Sequence, residues 1–92
     1  MKTCEIAIQN SLGLHARAAA KFVHTAGRFA AHVQVSRGER AVDGKSIMGL
    51  LLLAAAAGTA ITISADGADE QAAVDALAAL VETGFGEDSC NA

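Results

Sequence analysis

Residues 10–27 read NSLGLHARAAAKFVHTAG, and the change of pattern inside this stretch sets the architecture. Asn10-Ser11-Leu12-Gly13 breaks the pattern that precedes it, as turn-forming residues do. From Ala16 to about Gly27 the apolar residues Ala19, Phe22, Val23 and Ala26 fall at i, i+3, i+4 and i+7. That spacing predicts a helix with one apolar stripe. Lys21 and Arg28 lie off the stripe, and Gly27 is a natural stop. Upstream, Cys4, Ile6 and Ile8 alternate with Thr3, Glu5 and Ala7, the period of a half-buried strand.

Downstream the same two periods recur. Ala31, Val33 and Val35 alternate with His32, Gln34 and Ser36. Arg37-Gly38 turns the chain into a short third strand over Arg40–Asp43, forming a hairpin. Asp43-Gly44-Lys45-Ser46 introduces a strongly apolar second helix from Ile47, expected to end before Gly58. Ile61 and Ile63 alternate with Thr62 and Ser64 in a fourth strand. After Asp66-Gly67 a last helix carries Ala73, Val74, Leu77, Leu80 and Val81 on one stripe and ends near Gly84. Asp69 is its expected N-cap, and Glu70 suits the positive end of the helix dipole. The order βαββαβα with four amphipathic strands predicts an α+β fold: an antiparallel sheet covered by helices on one face and open on the other.

At 92 residues the chain supports one core, placed here in a single domain over 1–86 with a flexible tail at 87–92. Cys4 and Cys90 lie near opposite ends without metal or redox spacing and read as two reduced thiols. The opening MKTCEIAIQNS lacks the uninterrupted apolar region of a secretory signal. Ile47–Ala57, the most apolar run, is too short for the ~20 residues of a bilayer span. A soluble, cytoplasmic protein without membrane insertion is expected.

Charge is divided unevenly. Residues 1–65 hold all seven basic residues and three acids, a net +4; residues 66–92 hold seven acids and no base. A modest basic face near His15 suits an acidic protein partner. Nucleic acid is disfavoured by the overall charge of −3 and by aromatics at only 3%.

His15 falls at or just before the start of the first helix. The first N–H groups of a helix lack internal partners, and the dipole leaves partial positive charge there. The positive end and Arg17 both favour a neutral, nucleophilic imidazole. Once His15 has taken a phosphoryl group, the N–H groups of Ala16 and Arg17 and the Arg17 guanidinium could bind its oxygens. His24 and His32 lack such a setting, and the three histidines have no metal-ligand spacing, so neither metal nor cofactor is expected. A hydrolase using His15 as a general base lacks a nucleophile or carboxylate beside it in sequence. A regulatory binding module controlled through Ser46, without carrier duty, is the alternative from another class. It gives no reason for histidine followed by arginine at the helix start.

The second helix carries Ile47, Met48, Leu50, Leu51, Leu52 and Leu53, which cannot all point inward at 100° per residue. Part of this surface is therefore exposed and reads as a protein-docking patch. Ser46 is placed to cap the helix through the N–H of residue 48 or 49.

GLHARAAAKF around His15, together with DGKSIMGLLLLAAAAGT around Ser46, resembles the HPr family, the histidine-containing phosphocarriers of the bacterial phosphotransferase system. The likeness covers nearly the whole chain. It implies an open-faced sandwich with sheet order 1-4-2-3 and three helices on one face. It further implies a monomer that carries phosphoryl from phosphoenolpyruvate, through enzyme I, on Nδ1 of His15 to an EIIA-type domain. Ser46 matches a regulatory phosphorylation site, acted on in many bacteria by an HPr kinase/phosphorylase. Ile47, Met48 and Leu51 become the expected contact residues, with Arg17, Lys21 and Lys45 at the rim. Ala18 stands where the commoner motif has proline, which puts local stiffness in doubt but not the chemistry. The combination with AAAKF resembles the nitrogen-related branch, NPr, more than the enteric sugar carriers.

Overall fold

The computed structural model describes residues 1–86. The expected tail at 87–92, and with it Cys90, lies outside the described residues. Four strands, β1 (Lys2–Ala7), β2 (His32–Arg37), β3 (Arg40–Asp43) and β4 (Ala60–Asp66), form one antiparallel sheet in the order β1-β4-β2-β3. The helices are α1 (Ala16–Ala26), α2 (Ile47–Leu53) and α3 (Glu70–Glu82), followed by a single 3₁₀ turn at Gly84–Gly86. This is the open-faced α+β sandwich the alternation implies, with the resemblance's strand order.

Strand β4 is one of the two inner strands, with β2. Ile61, Ile63 and Ala65 are buried, and the strand pairs with β1 on one side and β2 on the other. The register sets Cys4 opposite Ile63 and Ile63 opposite Val35, so one row of apolar side chains crosses the sheet beneath the helices. With only three phenylalanines, the core depends on small aliphatic residues; Phe22 and Phe85 are its two largest wholly buried side chains. Truncating a buried Phe to Ala typically costs about 3–5 kcal/mol.

One expectation is met and one needs correction: α2 ends before Gly58, but the Asp69 side chain does not cap α3. Helix α2 stops at Leu53, well short of Gly58, with Ala54 in the left-handed region at φ 54°. Two guanidiniums from the β2–β3 hairpin take up its final carbonyls: Arg40 Nη1 donates to Leu52 O and Arg37 Nη1 to Ala54 O, both at 2.8 Å. The Ala55 carbonyl is occupied by the Leu14 N–H at 2.9 Å, so continuing the helix would break a contact made elsewhere. Alanine propensity loses to these tertiary bonds.

Asp69 stands at the N-cap of α3, but its side chain makes no capping bond. Its two carboxylate oxygens accept from the Ala30 and Ala31 N–H groups, each at 2.8 Å, tying the α1–β2 connection to α3. Glu70 instead closes the helix start by accepting from the Gly67 N–H at 3.1 Å, and it pairs with the N-terminal ammonium. The Ala30 N–H, joined by Ala31 and the Lys45 charge and opposed by desolvation, holds the Asp69 carboxyl below its ordinary value of 3.8. A carboxyl lowered by folding contributes stability above its unfolded value and loses it as pH falls through the folded one. Asp69→Asn should therefore be less stable than the parent at about pH 7, and the gap should close at an acid pH where the carboxyl is protonated in both the folded and the unfolded protein. Urea unfolding of both proteins at the two pH values checks this; a gap that persists in acid would assign the effect to packing.

Candidate functional site

The chain between β1 and α1 is clamped by backbone rather than by side-chain packing. Gly13 N–H donates to Asn10 O at 3.1 Å, closing a turn, and Leu14 N–H donates to Ala55 O beyond α2. Gly13 has φ +71° and lies so close to this segment that a Cβ would stand 2.7 Å from Ala55 O. Only glycine combines that dihedral with that approach. Leu14 is buried and anchors the turn, and the next residue is His15.

His15 is the N-cap of α1, with extended backbone (φ −85°, ψ −177°). Its carbonyl accepts the first intrahelical bond from Ala19 N–H at 2.8 Å, and its ring Nδ1 accepts from Arg17 N–H at 3.3 Å. The Nδ1 lone pair thus faces the start of the helix, which places the ring proton on Nε2. The first turn carries no acidic residue to offset the dipole. His15 is half-buried, Ala16 and Arg17 are exposed, and Ala18 and Ala19 are buried beneath them. A group carried on Nδ1 would meet the helix N–H groups and have solvent access. The 3.3 Å bond is at the long end for its type and is readily exchanged for one to an oxygen.

Beside this lies the apolar patch. Ile47 and Met48 are 41% and 67% exposed, Leu52 is 62% exposed and Leu51 is half-buried, whereas Leu50 and Leu53 are wholly buried. Residues 47/51 and 48/52 are one turn apart, so the four make one continuous outward face. The expected contacts Ile47, Met48 and Leu51 are therefore brought together, and Leu52 belongs with them. Sequence reasoning left Leu52 out, although its place one turn from Met48 was there to be read once the outward face was known. Leu12, 71% exposed on the turn before His15, was not legible, because an apolar residue in a turn has no period to reveal it. Ser46 caps α2 as expected, with its Oγ accepting from Gly49 N–H at 3.1 Å.

The rim cations behave differently from a simple charged border. Lys21 Nζ donates to Phe85 O at 2.7 Å and Lys45 Nζ to Phe29 O at 2.8 Å, so both ammoniums also pin the fold. His24 and His32 are exposed in the last turn of α1 and at the start of β2. Among the described residues no three His, Cys, Asp or Glu side chains are grouped to hold a metal ion. No helix of the described residues is long and apolar enough to cross a membrane.

Comparison with known proteins agrees with this geometry. A family model described as "PTS HPr component phosphorylation site" matches residues 2–83. The phosphocarrier protein HPr of Cupriavidus necator is 55% identical over 80 residues, 87% of this chain and 90% of that protein. The phosphocarrier protein NPr of Shewanella violacea is 42% identical over 85 residues, covering 92% of this chain and 93% of its own. A solved HPr from Thermoanaerobacter tengcongensis superposes with a TM-score of 0.91 at 45% identity, covering 95% of this chain and 98% of that one. Sandwich, strand order and sequence thus converge: the chain belongs to the HPr family, the phosphocarrier proteins of the phosphotransferase system.

Proposed function

We propose that His15 Nδ1 is the atom that carries the phosphoryl group, received from phosphoenolpyruvate by way of enzyme I and passed to an EIIA-type domain of a sugar or nitrogen-related system. The observation that carries this reading is the ring geometry: Nδ1 of the N-cap histidine accepts from Arg17 N–H at the unneutralised end of α1. In the step, the Nδ1 lone pair bonds to phosphorus as the bond from phosphorus to the donor atom of enzyme I breaks. That electron pair stays with the donor. The phosphorylated ring can shed its Nε2 proton to water. Transfer onward returns the N–P electron pair to Nδ1 as the acceptor's lone pair bonds to phosphorus.

Arg17 and the Ala16 and Arg17 N–H groups stabilise the transferring oxygens. Hydrogen bonds to charged groups are worth about 1.5–3 kcal/mol and the dipole adds roughly 0.3–1. These terms hold the group without trapping it, as a carrier needs. The protein is a covalent substrate of its partners rather than an enzyme with its own turnover. Phosphorylation at Ser46 would place negative charge at the N-cap of α2, beside the docking patch, where the dipole favours it and an acidic partner would not.

Incubating the protein with phosphoenolpyruvate and a cognate enzyme I tests the reading. Acid-labile phosphate should appear on one residue, and nitrogen NMR of the histidine ring should place it on Nδ1 of His15. Label on Nε2, or on another residue, would overturn it.

The patch has its own test. Met48→Asp removes an exposed thioether and adds a charge facing an acidic partner, so it should weaken binding to enzyme I about tenfold or more. Thermal stability should change little, since surface substitutions usually stay within about 0.5 kcal/mol. A change confined to the melting temperature would return Met48 to the core.

A further inference from the structure

We propose that Asn10 is a positioning residue for His15, locked in place by the Gly84–Phe85 end of the fold; this deepens the phosphocarrier reading and rests on it. Asn10 is wholly buried, and it is the one buried polar side chain among the described residues. Burying an amide is costly unless it is bonded, so a residue retained for packing alone would more cheaply be apolar.

Its bond shows what the amide does. Asn10 Nδ2 donates at 2.8 Å to the Gly13 carbonyl. The same carbonyl accepts the His15 backbone N–H at 3.0 Å. One oxygen therefore joins the buried amide to the backbone of the nucleophilic residue. It fixes the direction in which His15 leaves the turn and enters the helix. Asn10 acts through Gly13 and does not reach the ring, so its role is orientation.

Behind the amide lies the Gly84–Phe85 segment, near the end of the described residues. Gly84, at φ +64°, faces Asn10: a Cβ there would be in van der Waals contact with it, 3.4 Å from Asn10 Cβ and 3.6 Å from its Cα and N. Phe85 follows in the left-handed region at φ 58°, buried to 1% exposure, and its carbonyl accepts from Lys21 of α1. Three successive residues with positive φ, Gly84, Phe85 and Gly86, and a buried aromatic ring make this segment a plug. Lys21 joins the plug to the helix that His15 caps.

The test compares the parent with Asn10→Ala by two measurements. The first is the rate of His15 phosphorylation by enzyme I in single turnover, with its half-saturating concentration. The second is the pair of His15 ring-nitrogen shifts in the unphosphorylated protein. Misplacing a reacting group by about 1 Å can cost 10²-fold, so the saturating rate should fall about 10- to 100-fold with the half-saturating concentration unchanged. The ring-nitrogen shifts should move toward the average of the two tautomers. A lower melting temperature with unchanged rate and shifts would overturn the proposal, as would an effect on half-saturation alone. Should Asn10→Ala fail to fold, Asn10→Leu fills the space with an apolar side chain and has no donor for the Gly13 carbonyl. It is expected to move rate and shifts in the same directions, and unchanged values in that variant overturn the proposal equally. Label found away from His15 in the parent would remove the phosphocarrier assignment of this atom, while the ring-nitrogen comparison still decides what Asn10 does.

Discussion

His15→Ala should take up no acid-labile phosphate from enzyme I and phosphoenolpyruvate, the largest change expected of any single substitution. Alanine has no ring nitrogen, and neither His24 nor His32 stands at a helix start that could replace it. The variant should remain folded. Loss of a capping side chain costs about 1 kcal/mol, and the Ala19 N–H bond to the residue-15 carbonyl does not depend on the side chain. For a domain of this size that corresponds to a fall in melting temperature of about 4–8 °C. Uptake of label by the folded variant would transfer the carrier role to another residue.

Gly13→Ala is expected to have the next largest effect, on stability and transfer together. The new Cβ would stand 2.7 Å from Ala55 O and 3.0 Å from Ala56 Cα, at a residue with φ +71°. Both obstacles are backbone, and Ala55 O is held by Leu14 N–H, so neither yields as a flexible side chain would. Strain of about 1–2 kcal/mol from the dihedral adds to the overlap, and a total loss of about 2–4 kcal/mol follows. Gly38→Ala and Gly58→Ala make good controls: both sites have positive φ, but a Cβ there meets nothing within 4 Å. They should lose only the dihedral part. Chemical denaturation of the three variants, with transfer rates for Gly13→Ala, separates close approach from conformation. Equal losses at all three sites would show that the clamp on the His15 turn is slack.

Most of the fold was legible because it is periodic. Alternation along Ile61–Ala65 and Ala31–Val35 marked two strands, and the i, i+3, i+7 spacing of Ala19, Phe22 and Ala26 marked α1. The helix start at His15 was legible too, since it depends on neighbours in sequence. What escaped depends on distant partners. Nothing near Asp69 shows that its carboxylate will bind Ala30 and Ala31 instead of its own helix. Nothing near Ala54 shows that Arg37 and Arg40 will end α2 there. Phe85 and Asn10 were hidden for the same reason: a single apolar residue after a helix and a single amide in a turn carry no pattern. The excess of leucines in α2 lay between these cases. Its exposure could be inferred from geometry, but the face could not be assigned until Leu50 and Leu53 were seen to point inward.

The clamp on the His15 turn also has a consequence for a chain emerging from the ribosome. Its parts are scattered: Asn10 and Gly13 come early, Ala55 past the middle and Gly84–Phe85 near the end of the described chain. An inner strand of the sheet, Ala60–Asp66, is the last strand made, and its partner Lys2–Ala7 is the first. Helix α1 can form locally within the first third of synthesis, but the turn before it has nothing to close against until Ala55, and later the plug, arrive. Contacts this distant in sequence are slow to close and leave apolar strands exposed meanwhile. A nascent chain released before Ala55 would therefore present the histidine without its clamp, and one released before Gly84 would present it without the plug behind Asn10.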